Sequence, residues 1–178
     1  VCEDIWSRHA DFKYGMDPLD ALLKSPDGAA IKLIINMAAS PYSIQGKSKR
    51  KLVLQDVANR HRRPLAYINQ VGARADLIFD GGTSYWDAHG NDMATCPPFE
   101  ESVLLVETGQ EERFEAIPFG DKVRQEFPLD GKFQDLPSDL LLQDSRHRVL
   151  GLKWNPYEVT QALCLGIRDY LRMTGGER

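Results

Sequence analysis

The apolar positions change their period along the chain, and the changes mark its elements. Leu19, Leu22 and Leu23 form a short stripe behind Asp17-Pro18, an N-cap followed by proline at the first helical position. Ser25-Pro26-Asp27-Gly28 ends it. Residues 31–35 (I-K-L-I-I) form a β-branched run of strand length between turn residues. Over 47–61 the helical period returns, with Leu54, Val57, Ala58 and His61 at i, i+3, i+4 and i+7. Residues 65–71 (L-A-Y-I-N-Q-V) read as the next strand, ended by Gly72. With 1–6 (V-C-E-D-I-W) as a strand end entering a loop, the first 71 residues read strand, helix, strand, helix, strand. That alternation predicts an α/β fold with helices packed on a layered sheet.

Beyond Gly72 the pattern turns β-rich. Residues 76–79, 84–87 and 103–107 read as short strands, and Gly81-Gly82 and His89-Gly90-Asn91 suit hairpin-like connections between them. From 108 to 139 apolar content falls and Pro118, Pro128 and Pro137 interrupt any long element, as in a linker or an extended arm. Asn155-Pro156 then starts a helix whose Val159, Ala162, Leu163, Gly166 and Tyr170 are expected on one face.

Composition narrows the classes. The chain has 178 residues, the length of one domain or of a piece of something larger. Seven Phe, six Tyr and three Trp argue for a core. No apolar run reaches the roughly 18 residues of a membrane helix. The net charge of −4 provides no general attraction for nucleic acid. Three cysteines, at 2, 96 and 164, argue against a secreted disulfide scaffold, and the start lacks the composition of a leader, so a reducing cytosol is expected.

Three groups of residues could carry chemistry. Cys2, at an expected strand end, could present a nucleophilic sulfur; its neighbours Glu3 and Asp4 disfavour a thiolate, so a cation or base must come from elsewhere. The alternative is a small buried hydrophobe. Ser40-Pro41 followed by Gly46-Lys47 at a helix start could hold a carboxylate between hydroxyl, helical N–H groups and ammonium, or could be a capped helix with a solvated basic turn. Lys47, Lys49, Arg50, Lys51, Arg60, Arg62 and Arg63 form a basic cluster without interleaved aromatics, expected as a solvated helix face rather than a nucleic-acid site. His9, His61, His89 and His147 and the cysteines show no metal-ligand spacing, so no metal site is expected, and there is no glycine-rich nucleotide loop.

The order of these signals is more informative than any one of them. C-E-D-I-W, I-I-N-M-A-A-S-P-Y, G-K, Y-I-N-Q-V-G and F-D-G-G-T-S, followed by A-L-C-L-G-I-R-D-Y-L-R at 162–172, resemble the later half of a nitrilase-type glutaminase domain of the glutamine-dependent NAD synthase family. The resemblance implies part of an α-β-β-α sandwich over 1–120, a linker over 121–154, and the first helix of a synthetase domain over 155–178. It implies Cys2 as the nucleophile that releases ammonia from glutamine. Glu3, Ser40 and Lys47 would hold the substrate's amino and carboxylate groups. It further implies that ATP, with Mg, and nicotinic acid adenine dinucleotide act in the full enzyme but are not bound by this chain, that the enzyme is a homo-oligomer, and that it has no nucleic-acid or membrane partner.

The sequence departs from that family at several points. The family's catalytic glutamate and lysine precede the cysteine, where this chain has only Val1, and its Ser-Gly-Gly-x-Asp-Ser loop follows the last helix. The chain is therefore expected to be an internal fragment, catalytically incomplete alone, with an uncovered sheet face and a tendency to fold poorly or oligomerise. The 7–30 segment is longer than usual, Ser40 and Lys47 are one residue further apart, and Ala73-Arg74 replaces the common Gly-Gln or Gly-Asp. Another nitrilase-superfamily amidase and a non-catalytic α/β interaction domain are the alternatives.

Overall fold

A parallel strand–helix–strand unit carries the fold. The computed structural model describes residues 2–8, 15–107, 113–118 and 155–176. In it β1 (Ile34–Ala38) pairs in parallel with β2 (Leu65–Asn69), and α2 (Gly46–His61) is the crossover that a parallel pair requires. Strand alternation decides what faces that helix. Ile34 and Asn36 of β1 and Leu65, Tyr67 and Asn69 of β2 are buried, while Ile35 and Met37 are exposed. Val53, Leu54, Val57 and Ala58 of α2 pack into the same core as Ile5, Leu19 and Trp86. Burying one such aliphatic side chain contributes about 1.5–3 kcal/mol.

The sheet continues through β5 (Ser84–Trp86) and β6 (Asp92–Thr95), both antiparallel, in the order β1-β2-β5-β6. The turn between them is fixed by Asp87, whose carboxylate accepts the N–H groups of His89 and Asn91 at 2.8 Å each. Two hairpins stand beside the sheet: β3 (Val71–Arg74) with β4 (Leu77–Asp80), and β7 (Ser102–Glu107) with β8 (Arg113–Pro118). The last helix, α3 (Pro156–Thr174), is capped by Asn155 and docks on the β3–β4 hairpin. Ala162 and Leu165 join Phe99, Tyr42, Val71 and Ile78 in a second core, and the Ala73 N–H donates to Asp169 at 2.8 Å. The short helix α1 (Pro18–Leu23) begins as expected, with Asp17 accepting from Leu19 and Asp20.

The mixed α/β class is as expected, but several elements differ. Cys2–Trp6 is a 3-10 turn rather than a strand end. The first central strand starts at Ile34 instead of residue 31, because Gly28–Ala30 forms another short turn and the chain straightens only after it. The run 65–71 divides: the Gln70 N–H still donates to the Ala38 carbonyl, and the chain then leaves the sheet at Val71 to form the hairpin. Residues 113–118, expected in an extended arm, pair with β7 as a strand, whereas the 121–154 linker lies outside the described residues. On α3 the docked face carries Ala162, Leu165, Gly166 and Asp169. Leu163 and Tyr170, expected with Ala162, are exposed. Among the described residues β1 is an edge strand, and Ile35, Met37 and Ile68 leave apolar surface open on the face away from α2.

His61 gives the α1–α2 contact a pH dependence. Its side chain is nearly fully buried, with Nδ1 3.6 Å from an Asp20 carboxylate oxygen. Burial, and then the Arg60 charge, hold its pKa below the ordinary 6.5 despite Asp20 and Asp17. The unfolded chain therefore takes up the proton first as pH falls below about 6.5, and stability falls with it. Melting curves between pH 7.5 and 5.5 are expected to show this loss in the wild type and a smaller loss in His61→Gln.

Candidate active site

The C-terminal ends of β1 and β2 hold a buried polar cluster around Ser40. Asn69 clamps the Ser40 backbone from both sides. Its Oδ1 accepts the Ser40 N–H at 2.9 Å, and its Nδ2 donates to the Ser40 carbonyl at 3.4 Å and to the Gly81 carbonyl at 2.9 Å. Arg50 reaches in from the first turns of α2. It donates to the Ser40 hydroxyl oxygen at 3.4 Å and to the Asp80 carboxylate, and it lies over the Tyr67 ring at 5.6 Å. Asp80 also accepts from Asn69 at 3.4 Å. The Arg50 and Asp80 side chains are only 7% and 3% exposed, so each charge depends on the other. Asp80 is followed by Gly81 and Gly82, both at positive φ, a sharp turn that a larger residue would strain.

Tyr67 lies at the centre of this cluster. Burial pushes its phenol up to about 12, against the Arg50 charge and the nearby Ser40 hydroxyl, so it stays protonated at neutral pH. Its Oη is fully buried and has no hydrogen-bond partner among the described residues; Ser40 is close enough to act on it without completing a hydrogen bond of good geometry.

Cys2 opens the 3-10 turn, which packs against β1 and α2. Its φ is +31°, a left-handed conformation that costs a non-glycine residue on the order of 1–3 kcal/mol and is kept where the surroundings impose it. The thiol is half-buried. Of the residues predicted from sequence, Ser40 belongs to this cluster, and Cys2 stands on the turn packed against β1 and α2. Glu3 follows Cys2 on the same turn and is exposed. Lys47 donates to Glu158 of α3 at 2.6 Å, with half its side chain exposed.

The basic cluster is not one solvated face: Lys47 pairs with Glu158, Lys51 with Asp92, Arg60 with Asp17, and Arg50 is buried. Tyr67, Asn69 and Asp80 were not singled out by sequence, and Arg50 was read only as part of a solvated basic face, although two signals were present. Arg50 precedes Val53, Leu54 and Val57 by three, four and seven residues, and so shares their buried stripe; Tyr67 and Asn69 alternate with Leu65.

Asp17, Asp20 and His61 bring possible ligand atoms within 4.8 Å, but Arg8 and Arg60 already pair with those carboxylates, which makes this an ion-pair cluster. A cavity of about 210 Å³ between the Cys2 turn, α1 and β1 is lined by Asp4, Ile5, Leu19 and Asn36 among others. A second, of about 320 Å³, lies beside Asn69, Gly81, Thr83, Cys96 and Ser102.

These features define an α/β protein with a strained cysteine beside a preformed buried polar cluster. No family model matches the chain. Individual proteins do. The chain is 30% identical over 178 residues to the glutamine-dependent NAD(+) synthetase of Synechocystis, covering 98% of the chain and 26% of that protein. It is 29% identical over 185 residues to that of Thermotoga maritima, covering 100% of the chain and 30% of the relative. The solved glutamine-dependent NAD+ synthetase of Acinetobacter baumannii, in complex with adenosine diphosphate, matches 98% of the chain and 25% of its own with a TM-score of 0.56 at 20% identity, and so shares the fold. The chain is thus similar along its whole length to part of the glutamine-dependent NAD(+) synthetases, as its motifs indicated, and spans between a quarter and a third of their length. Among the described residues no helix is long and apolar enough to cross a membrane.

Proposed function

We propose that this chain is the C-terminal part of the glutaminase domain of a glutamine-dependent NAD synthase, with a nitrilase-type fold, running through a linker into the first helix of the synthetase domain. The observation that carries the reading is the strained Cys2 turn beside the buried Ser40 cluster, in a chain whose relatives carry this name. In this reading the Cys2 sulfur attacks the side-chain amide carbon of glutamine. The carbon–nitrogen bond breaks, nitrogen leaves as ammonia after gaining a proton, and a thioester remains. Water then cleaves the thioester, releasing glutamate and restoring the thiol. The Glu3 N–H stands at the developing oxyanion, where one fixed donor is worth roughly 3 kcal/mol.

Glu3, Ser40 and Lys47 hold the amino and carboxylate groups. Lys47 must leave Glu158 to do so, and a half-exposed pair of this kind costs only about 0–1 kcal/mol to break. The general base and the cation that Cys2 needs beside Glu3 and Asp4 come from the glutamate and lysine that the resemblance puts upstream. Ammonia then serves the amidation of nicotinic acid adenine dinucleotide to NAD, with ATP and Mg in the synthetase domain. The residues of this chain do not fit that nucleotide site: the α2 start offers Gly46 and Lys47, but no glycine-rich loop precedes it. The full enzyme is a cytoplasmic homo-oligomer in this reading.

The test is to treat the full-length protein with a diazoketone analogue of glutamine. Mass spectrometry is expected to find the adduct on Cys2, with protection by glutamine. An adduct on another residue, or none, would overturn the reading.

A further inference from the structure

The β1–β2 ladder ends at the Ala38–Asn69 pair, just before the chain reaches Ser40. From Pro41 the chain changes partner: Pro41 bridges to Phe79, and the Tyr42 N–H donates to the Ile78 carbonyl at 2.7 Å. Ser40 thus stands where one strand pairing stops and another begins, and it lies in neither. The Asn69 side chain takes the place of a strand neighbour. Its oxygen accepts the Ser40 N–H at 2.9 Å and its nitrogen donates to the Ser40 carbonyl at 3.4 Å, so one amide bonds both backbone groups of one residue. The amide is itself held. Its nitrogen also donates to the Gly81 carbonyl at 2.9 Å, the Asn69 backbone N–H donates to Thr83 Oγ1 at 3.3 Å, and the residue is 8% exposed. These partners fix which way the amide points, because a flipped amide would set its NH2 group against the Ser40 N–H and its oxygen against two carbonyls.

We propose that Asn69 is a positioning residue for glutamine binding, which acts by holding the backbone that carries the Ser40 hydroxyl; this rests on the reading of Ser40 as a substrate anchor. Two distances separate its role from that of Arg50. Arg50 reaches the Ser40 hydroxyl at 3.4 Å, the limit of a hydrogen bond, and its short contact is with Asp80. Asn69 holds the Ser40 N–H at 2.9 Å. The backbone clamp therefore sets where the hydroxyl stands. It also occupies both main-chain groups of Ser40, which leaves the hydroxyl as the group turned to a substrate. The chemistry of the clamp calls for an amide, with an acceptor on one side and donors on the other. Aspartate has the same shape, but it would turn a carboxylate oxygen toward two carbonyls and toward the Asp80 carboxylate, which lies 3.4 Å from the nitrogen it replaces.

The test is a double-mutant cycle on the glutamine KM of the full-length protein, built from Ser40→Ala and Asn69→Ala. Ser40→Ala removes a hydrogen bond to a charged group of the substrate, so KM is expected to rise about tenfold or more. Asn69→Ala is expected to raise it about tenfold by displacing that same hydroxyl. In both variants kcat should stay within about threefold, the signature of lost binding rather than lost chemistry. In the Ser40→Ala background, Asn69→Ala should add less than about twofold, because the group it positions is gone. Asn69→Asp, of the same size, should behave as Asn69→Ala does in both backgrounds, which sets aside a packing defect peculiar to alanine. A residue with a merely structural role would lower the melting temperature and act equally in both backgrounds. An unchanged KM in Asn69→Ala, effects of Ser40 and Asn69 that simply multiply, a loss confined to kcat, or failure of both Asn69 variants to fold would each overturn the assignment. An unchanged KM in Ser40→Ala alone would instead overturn the reading of Ser40 as an anchor, whatever Asn69 does.

Discussion

Replacing Cys2 with alanine is expected to abolish glutamine hydrolysis by the full-length protein, lowering turnover on the order of 10⁴-fold or more. The oxyanion donor and the substrate anchors remain, but no thioester can form, and water bound in the same place is a far weaker nucleophile. Glutamate release measures the loss directly. The backbone adds a second signature. Cys2 has a φ of +31°, which alanine tolerates no better than cysteine and glycine adopts freely. Cys2→Gly is therefore expected to be as inactive as Cys2→Ala but more stable, by about 1 kcal/mol. A gain in stability on replacing the alanine by glycine would identify a conformation kept for chemistry rather than for folding. Equal stability of the two variants would remove the strain argument.

The strand–helix–strand order of β1–α2–β2 was legible, from β-branched and apolar runs and a 3.6-residue stripe within 31–71, although the first strand was expected at 31–35 and stands at Ile34–Ala38. The Cys2 turn was less legible. V-C-E-D-I-W has no period of its own, and Ile5 enters the core only because α1 and α2 bring Leu19 and Leu54 to it. Strands β3, β6 and β8 escaped for a related reason. Each is held by pairing with a neighbouring strand, and their sequences (V-G-A-R, D-M-A-T and R-F-E-A-I-P) carry glycine, charge or proline that propensity reads as loop.

The candidate site divides along the same line. Cys2, Ser40 and Lys47 were legible as candidate chemistry, and motif order joined them and Glu3 into one site, but motif order says nothing about which charge stands next to which. Arg50 looked like one of seven basic residues on a wet helix. Its burial depends on Asp80, thirty positions later, and on a ring from the intervening strand. Charge counted along α2 could not show this, whereas its place on the Val53–Leu54–Val57 stripe could.

The Arg50–Asp80 pair should therefore dominate the stability of this part of the protein. Removing one partner, as in Arg50→Met or Asp80→Leu, leaves the other as a buried uncompensated charge and is expected to cost about 3–5 kcal/mol. The double variant Arg50→Met/Asp80→Leu should cost less than the sum, because no charge is stranded, and a coupling above about 1 kcal/mol is expected from a pair in direct contact. Denaturant titration of the full-length variants, followed through the buried Trp86, measures both quantities. Arg50→Lys separates charge from geometry. An ammonium can neutralise Asp80, but it lacks the fork that reaches Ser40 and Asp80 together, so part of the stability should return while Ser40 loses its donor. If Arg50→Met and Asp80→Leu each cost less than 1 kcal/mol, the pair is open to water, and the hydroxyl of Ser40 is not held by a buried cation. If the costs are large and the double variant recovers most of them, the charges serve the site more than the fold, since apolar residues can replace them in packing but cannot orient Ser40.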